Sequence, residues 1–111
     1  MYVPDRGHVV WLHFNPQAGH EQAGHRPALV LSPATYNGKT GLALFCPITN
    51  QVKGYPFEVQ IVDNPSITGV ALADQVKNLD WRARGIKFVT TVEEAVLEEV
   101  FAKFAALLRA S

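Results

Sequence analysis

The apolar positions of this chain recur at two spacings, and the spacing changes near its end. From His8 to Phe14 the segment HVVWLHF is rich in β-branched and aromatic residues and predicts a strand. Period-two alternation puts Val9, Trp11 and His13 on one face and Val10, Leu12 and Phe14 on the other. The segment NPQAGHEQAGH follows; its Pro16, Gly19 and Gly24 predict a loop. PALVLS predicts a short buried strand, and PATYNGKTG a turn-rich connection with Asn37-Gly38 as its turn signal. LALFCPIT predicts a third strand stopped near Pro47, and NQVKGYP another loop. FEVQIV sets Phe57, Val59 and Ile61 against Glu58, Gln60 and Val62. DNPSITG turns the chain, VALADQVKNL gives two short strand pieces around a polar centre, and DWRARG is a basic kink of about one helical turn.

Beyond this the period lengthens. Val92, Val96, Val100, Phe101, Phe104, Leu107 and Leu108 recur at helical spacing. Thr91 followed by Glu94 reads as a capping box, and Glu93 and Glu94 suit the positive end of a helix dipole. The expectation is one terminal helix packed on a sheet. Many short strands with frequent turns favour a small barrel over a parallel sheet. So small a barrel leaves no large enclosed pocket, so a ligand would lie in a surface groove lined by loops.

Composition narrows the function. A chain of 111 residues, 48% hydrophobic, predicts a single domain over 1–111. Its formal net charge is zero, which argues against a general nucleic-acid coat, because nonspecific phosphate binding needs many cations. The zero hides an asymmetry. Residues 1–92 carry eight Lys/Arg against six Asp/Glu and all four histidines, whereas residues 93–111 carry four Glu, one Lys and one Arg. A local anion site is therefore still available. The single cysteine, Cys46, sits in an apolar strand and reads as a small core residue. MYVPDRGHVV lacks the apolar stretch of a signal peptide, and no apolar run approaches the ~18 residues of a membrane span. The expected location is the cytoplasm, with no membrane partner.

The first loop concentrates the candidate chemistry. His20, Glu21, Gln22, His25 and Arg26 lie within eight residues, interrupted by glycine. Metal-ligand spacing is missing: there is no His-Glu-x-x-His pattern and no cysteine pair, and His8 and His13 have opposite strand parity. Ser32 precedes a proline, with no Gly-x-Ser-x-Gly elbow, and no Walker pattern occurs. Metal-free phosphoryl transfer on RNA remains, since RNA carries its own nucleophile beside each phosphate. It needs a base, a cation for the charge growing on the phosphorus oxygens, and a proton for the leaving oxygen. Glu21 could be the base, Arg26 the cation, and His20 or His25 helpers. The same residues also fit a merely solvated loop in which Arg26 pairs with Glu21.

Four ordered blocks go further. GHVVWLHFNPQAGHEQAGHRPALVLSP, YNGKTG, CPITNQVKGYPFEV and GVALADQVKNLDWRARG closely resemble the MazF/PemK/Kid toxins of bacterial toxin–antitoxin pairs. The resemblance runs from about Gly7 through the terminal helix. It implies a mainly β fold with α, a small SH3-like β-barrel with a C-terminal helix, assembled as a two-fold homodimer. It implies a metal-independent, cofactor-free, sequence-specific endoribonuclease that cuts single-stranded mRNA. The products would be a 2′,3′-cyclic phosphate and a free 5′-hydroxyl, and translation would stop.

By position the resemblance makes Arg26, Thr49 and Glu21 catalytic, and gives His20 and Asp74 a part in binding or cutting RNA. Two positions depart from the pattern. The plasmid-borne branch has an acid-acting arginine where this chain has Leu72, and the usual Ser or Thr after the threonine is Asn50. The donor to the 5′-oxygen is therefore unassigned. The loops 17–25 and 50–55 are expected to line an RNA groove. There His25, Asn50, Gln51, Asp74 and Gln75 would meet RNA, Lys53 and Lys77 would meet phosphate, and Tyr55 or Trp81 could stack on bases. Phe14 reads as core; Trp81 fits either a core anchor or an exposed platform. The implied protein partner is a MazE-like antitoxin whose disordered acidic tail competes with RNA. A non-nuclease alternative also has a precedent, a gyrase poison of the same barrel architecture.

Overall fold

The computed structural model describes residues 1–14 and 24–111. Seven strands and two helices follow one another among them: β1 (His8–Phe14), β2 (Gly24–Val30), α1 (Ala34–Thr40), β3 (Leu42–Thr49), β4 (Glu58–Gln60), β5 (Val70–Leu72), β6 (Lys77–Asp80), β7 (Lys87–Thr91) and α2 (Glu94–Leu108). The strands pair antiparallel in the order β4-β5-β3-β2-β1-β7, with β6 also joined to β3. Among the described residues this path ends at β4 and β7 without a pairing that closes it. The coarse expectation of a mainly β fold with a C-terminal helix is met.

Alternation builds two cores, one on each face. Val9, Leu29, Leu31, Cys46 and Ile48 join Val59, Ile61, Ala71 and Ala73 under Val96, Leu97 and Val100 of α2. Val10, Leu12, Phe14, Ala28, Val30, Ala43 and Phe45 gather on the other face around Trp81. Adjacent residues of β1, β2 and β3 thus alternate between the cores, as a pleated strand buried on both sides requires. Trp11 and His13 share the face of Val9 but are exposed.

Several expectations are corrected. The strand begins at Gly24, so His25 and Arg26 lie on β2 and not in a loop. The segment with Asn37-Gly38 is helix α1, ended by Gly41 in the left-handed conformation at φ 76°. Asn37 does not make a turn because its side chain is spent elsewhere. Its Nδ2 donates to the carbonyls of Pro4 (2.7 Å) and Ser32 (2.9 Å), and its Oδ1 accepts from the Ser32 hydroxyl (2.6 Å). A fully buried amide must have such partners, and they outweigh a local turn preference.

β3 covers Leu42–Thr49, the whole of the predicted segment LALFCPIT, and ends two residues past Pro47. Leu42–Phe45 pair with β6 and Ile48–Thr49 with β5, so the proline, which has no N–H, falls where the neighbouring strand changes. β7 was not anticipated; it takes in Thr91, which pairs with His8. The capping box is therefore absent: Glu93 is the N-cap of α2 and makes no side-chain cap bond. Of the predicted helix stripe, Leu107 and Leu108 are exposed beyond the sheet.

Candidate active site

One row of residues runs across the sheet. Leu12 pairs with Arg26, and Thr49 pairs with Val70. The β2–β3 ladder is formed by Ala28↔Pro47, Leu29↔Cys46 and Val30↔Phe45 and stops at Pro27, which has no N–H to give. Continuing that register by two residues sets Arg26 opposite Thr49. Both have the strand parity of Ala28, Phe45 and the Trp81 core, so a guanidinium and a hydroxyl share one face at the open end of the ladder.

Thr49 is buried, and its Oγ1 accepts the N–H of Gln51 at 3.1 Å. Accepting leaves the hydroxyl proton available to donate. Beside it opens a cavity of about 310 Å³ lined by Thr49, Gln51, Lys53, Tyr55, Phe57, Glu58, Leu72, Asp74 and Gln75. Three segments meet there: the end of β3, the loop of residues 50–57, and the turn after β5. That turn is fixed by Gln75 N–H to the Leu72 carbonyl (3.1 Å) and by Ala73 N–H to the Phe57 carbonyl (3.0 Å). Asp74 is left exposed at the rim. Its charge also reaches the core: burial first, and Asp74 second, push the Cys46 thiol up to about 12.

The expected site residues therefore divide. Thr49, Gln51, Lys53, Asp74 and Gln75 converge on the cavity; Arg26 is not among its lining residues and lies on β2, two residues beyond the end of the β2–β3 ladder. Asn50 lines a second cavity of about 510 Å³ with Val52, Gly54, Tyr55 and Gly69, and its Oδ1 accepts from the Thr68 hydroxyl at 3.0 Å. Lys77 sits on β6, paired with Phe45. His25 belongs to the opposite face of β2, where its ring stacks on exposed Trp11 (centroids 5.1 Å, interplanar 21°) and lies 6.1 Å from His13. Glu21 and His20 fall outside the described residues.

Of the aromatic candidates, Tyr55 is exposed at the cavity with Lys53 Nζ 5.8 Å from its ring centre. Trp81 is a core anchor: it is buried, and its Nε1–H donates to the Asn37 carbonyl at 3.0 Å. Phe14 is core, as expected. Sequence reasoning missed Glu58 and Phe57 as wall residues; Leu72, singled out as the position of the branch's acid-acting arginine, is on the wall too. The alternation of FEVQIV set Glu58 off the apolar face but did not connect it with a site. Among the described residues, no three His, Cys, Asp or Glu side chains form a set that could hold a metal.

The chain matches the family described as PemK-like, MazF-like toxin of type II toxin-antitoxin system over residues 5–108. It is 53% identical over 107 residues to the endoribonuclease toxin MazF of Escherichia coli K12, covering 96% of each chain. It is similar to the crystal structure of MazF from Deinococcus radiodurans, with TM-score 0.93 and 55% identity, covering 99% of this chain and 100% of that one. A MazE-MazF crystal structure (Form-II) from the same organism matches with TM-score 0.86 and 49% identity over the full length of both chains.

Proposed function

The chain belongs to the PemK-like, MazF-like family of type II toxins and is an RNA-cleaving toxin neutralised by an antitoxin; we propose that it cuts single-stranded mRNA by metal-independent transesterification centred on Arg26 and Thr49. What supports the reading is the β2–β3 register, which if extended two residues past Ala28↔Pro47 would bring Arg26 opposite Thr49, together with the cavity of amide and charged groups that Thr49 borders.

In the reaction the ribose 2′-oxygen attacks the adjoining phosphorus while the bond to the 5′-oxygen breaks. A 2′,3′-cyclic phosphate and a 5′-hydroxyl result. The Arg26 guanidinium offers a planar fork of donors to the non-bridging oxygens, on which negative charge grows. The Thr49 hydroxyl donates to one of the same oxygens. Glu21 takes the 2′-proton, directly or through Arg26. The 5′-oxygen takes a proton from a donor other than residue 72: Leu72 is on the cavity wall, and an alkyl side chain has none to give. Gln51, Asp74 and Gln75 present amide and carboxylate edges that suit unstacked bases, and Lys53 suits a phosphate.

The reading also takes in the finer fold and assembly: an SH3-like barrel, a two-fold homodimer and a cytoplasmic location. An acidic antitoxin tail ordering itself on the toxin would compete with RNA for the same cations.

The test is single-stranded RNA incubated with the protein in EDTA. Discrete cuts ending in cyclic phosphate are expected, and none where the scissile ribose is replaced by deoxyribose. Cutting of that deoxy substrate would overturn the mechanism. Intact RNA together with inhibited gyrase would replace the nuclease by a protein-binding poison.

A further inference from the structure

The residues 50–56 are exposed in succession, yet they supply Gln51, Lys53 and Tyr55 to the cavity wall. Such a stretch buries too little apolar surface to hold a single shape, so hydrogen bonds must hold it. Its two ends are anchored. Gln51 N–H reaches Thr49 Oγ1, and Glu58 N–H reaches the Tyr55 carbonyl at 3.1 Å. Its tip depends on one side chain. Glu58 Oε2 accepts the N–H of Lys53 at 3.0 Å, and Oε1 accepts the N–H of Gly54 at 2.9 Å. Gly54 has φ +80°, the left-handed conformation that L residues with a Cβ adopt at a cost, and it turns two successive amides toward one anion.

Glu58 is itself held. It opens β4 and pairs with Leu72 of β5, another cavity residue. Its carbonyl accepts from Lys103 Nζ at 2.9 Å, and Lys103 is also 3.3 Å from Glu99 on α2. The Glu58 backbone is thus fixed to sheet and helix while its carboxylate grips the loop.

We propose that Glu58 is a positioning residue for RNA binding: its carboxylate clamps the Lys53 and Gly54 amides and so fixes the wall that carries Gln51, Lys53 and Tyr55. The proposal rests on the RNA-cleaving reading given above. A carboxylate in an RNA groove would ordinarily repel phosphate. Here each oxygen faces a backbone donor, and charge-assisted bonds of this kind are stronger than those between neutral groups. The clamp touches no reacting atom, so its loss should weaken binding and leave the chemical step nearly unchanged.

The experiment compares the full chain with Glu58→Ala and Glu58→Gln in cleavage kinetics and in amide hydrogen exchange. In Glu58→Ala, KM should rise about tenfold or more, as the loss of two charged acceptors implies, with kcat within about threefold of wild type. Amide exchange at Lys53 and Gly54 should speed up in the same variant. Glu58→Gln keeps one acceptor oxygen and should fall between; it carries the test if the alanine variant does not fold. A lower kcat at unchanged KM would overturn the proposal, as would unchanged exchange at both amides. The exchange measurement needs no RNA, so it reads the clamp even if wild type proved not to cleave.

Discussion

Gly69 stands against Thr49 so closely that a Cβ on it would lie 2.3 Å from the Thr49 carbonyl oxygen and 2.9 Å from Asn50 Oδ1. Its φ of +108° is likewise one that a side chain disfavours. Two constraints, steric and conformational, therefore select glycine at the point where the chain enters β5 beside the candidate catalytic threonine. The Gly69 carbonyl is engaged as well: it accepts from Ile61 N–H at 2.9 Å.

Gly69→Ala is expected to push Thr49 and Asn50 away from their places. The strain should cost about 1–3 kcal/mol of stability, read by urea denaturation. Cleavage should fall further than the folded fraction does, because a displaced Thr49 misplaces its hydroxyl. A variant as stable and as active as wild type would show that the approach of the two backbones is not as tight as described.

Thr49→Ala and Arg26→Ala should each slow the chemical step about a hundredfold, the usual effect of removing one donor to a developing oxyanion. Thr49→Ser retains the hydroxyl that Gln51 N–H bonds and should keep most of the rate. Arg26→Lys keeps the charge but not the fork, and should recover little. Single-turnover cleavage of a short RNA checks all four. Near wild-type rates in either alanine variant would remove that residue from the mechanism.

Trp81 is held by burial and by its bond to the Asn37 carbonyl, and Arg82 lies over its ring at 5.1 Å. Trp81→Phe leaves that carbonyl without the indole donor and leaves space in the second core. A loss of about 2–4 kcal/mol is expected, with cleavage per folded molecule unchanged. If RNA binding dropped while stability held, Trp81 would act as a stacking surface after all.

How much of this was legible depended on whether local sequence decided the outcome. β1 was read with both bounds because Val10, Leu12 and Phe14 fill one core at period two, Val9 enters the other, and nothing competes with the strand. α1 was missed because the decisive bonds of Asn37 go to Pro4 and Ser32, and no local pattern announces a partner 33 residues away. Thr91 imitated a cap while its backbone was committed to a ladder with His8. In the site, the acid and cation of the first loop were visible as chemistry, but Thr49 had meaning only through the family resemblance. Its relation to Arg26 follows only from extending the β2–β3 register, which no local pattern shows. Glu58 was invisible for another reason: its partners are backbone amides, which every residue but proline has.

Cys46 should behave as a report on global unfolding. It is fully buried, and its thiol is pushed from the ordinary 9.0 up to about 12, so the reactive thiolate is scarce in the folded state. A thiol reagent at pH 8 should label it only at the unfolding rate, and at once in denaturant. The sign for stability follows from linkage. Below about 9 both states keep the proton and pH has no effect through this group. Between 9.0 and about 12 the unfolded chain ionises and the folded one does not, so stability falls as pH rises. Cys46→Ala should reduce that alkaline loss; the half-buried Tyr2, also raised to about 12, adds to it in the same direction. Fast labelling of native protein would contradict the burial.

At the other end of the pH scale the group to watch is Asp5. Helix α1 begins after Pro33, whose side chain cannot cap it, and the missing acceptor comes from far away in sequence. Asp5 Oδ1 accepts the N–H of Ala34 at 2.8 Å and that of Arg6 at 2.8 Å. The Ala34 bond is the largest cause of a carboxyl pKa below the ordinary 3.8; partial burial opposes it, and the Arg6 amide, His8 and Arg6 add to it. A depressed folded-state value means that the stabilisation is present above about 3.8 and is lost as pH falls through the lower folded value. Asp5→Ala should therefore be less stable than wild type at pH 7, by about 0.5–1 kcal/mol as for the loss of an exposed helix cap, and the gap should close in acid. Asp5→Asn keeps a neutral acceptor and should lie between the two at pH 7 with a flatter acid limb. Chemical denaturation at pH 7 and pH 3 measures both effects, and equal wild-type and Asp5→Ala stabilities at pH 7 would mean that α1 does not draw on this cap.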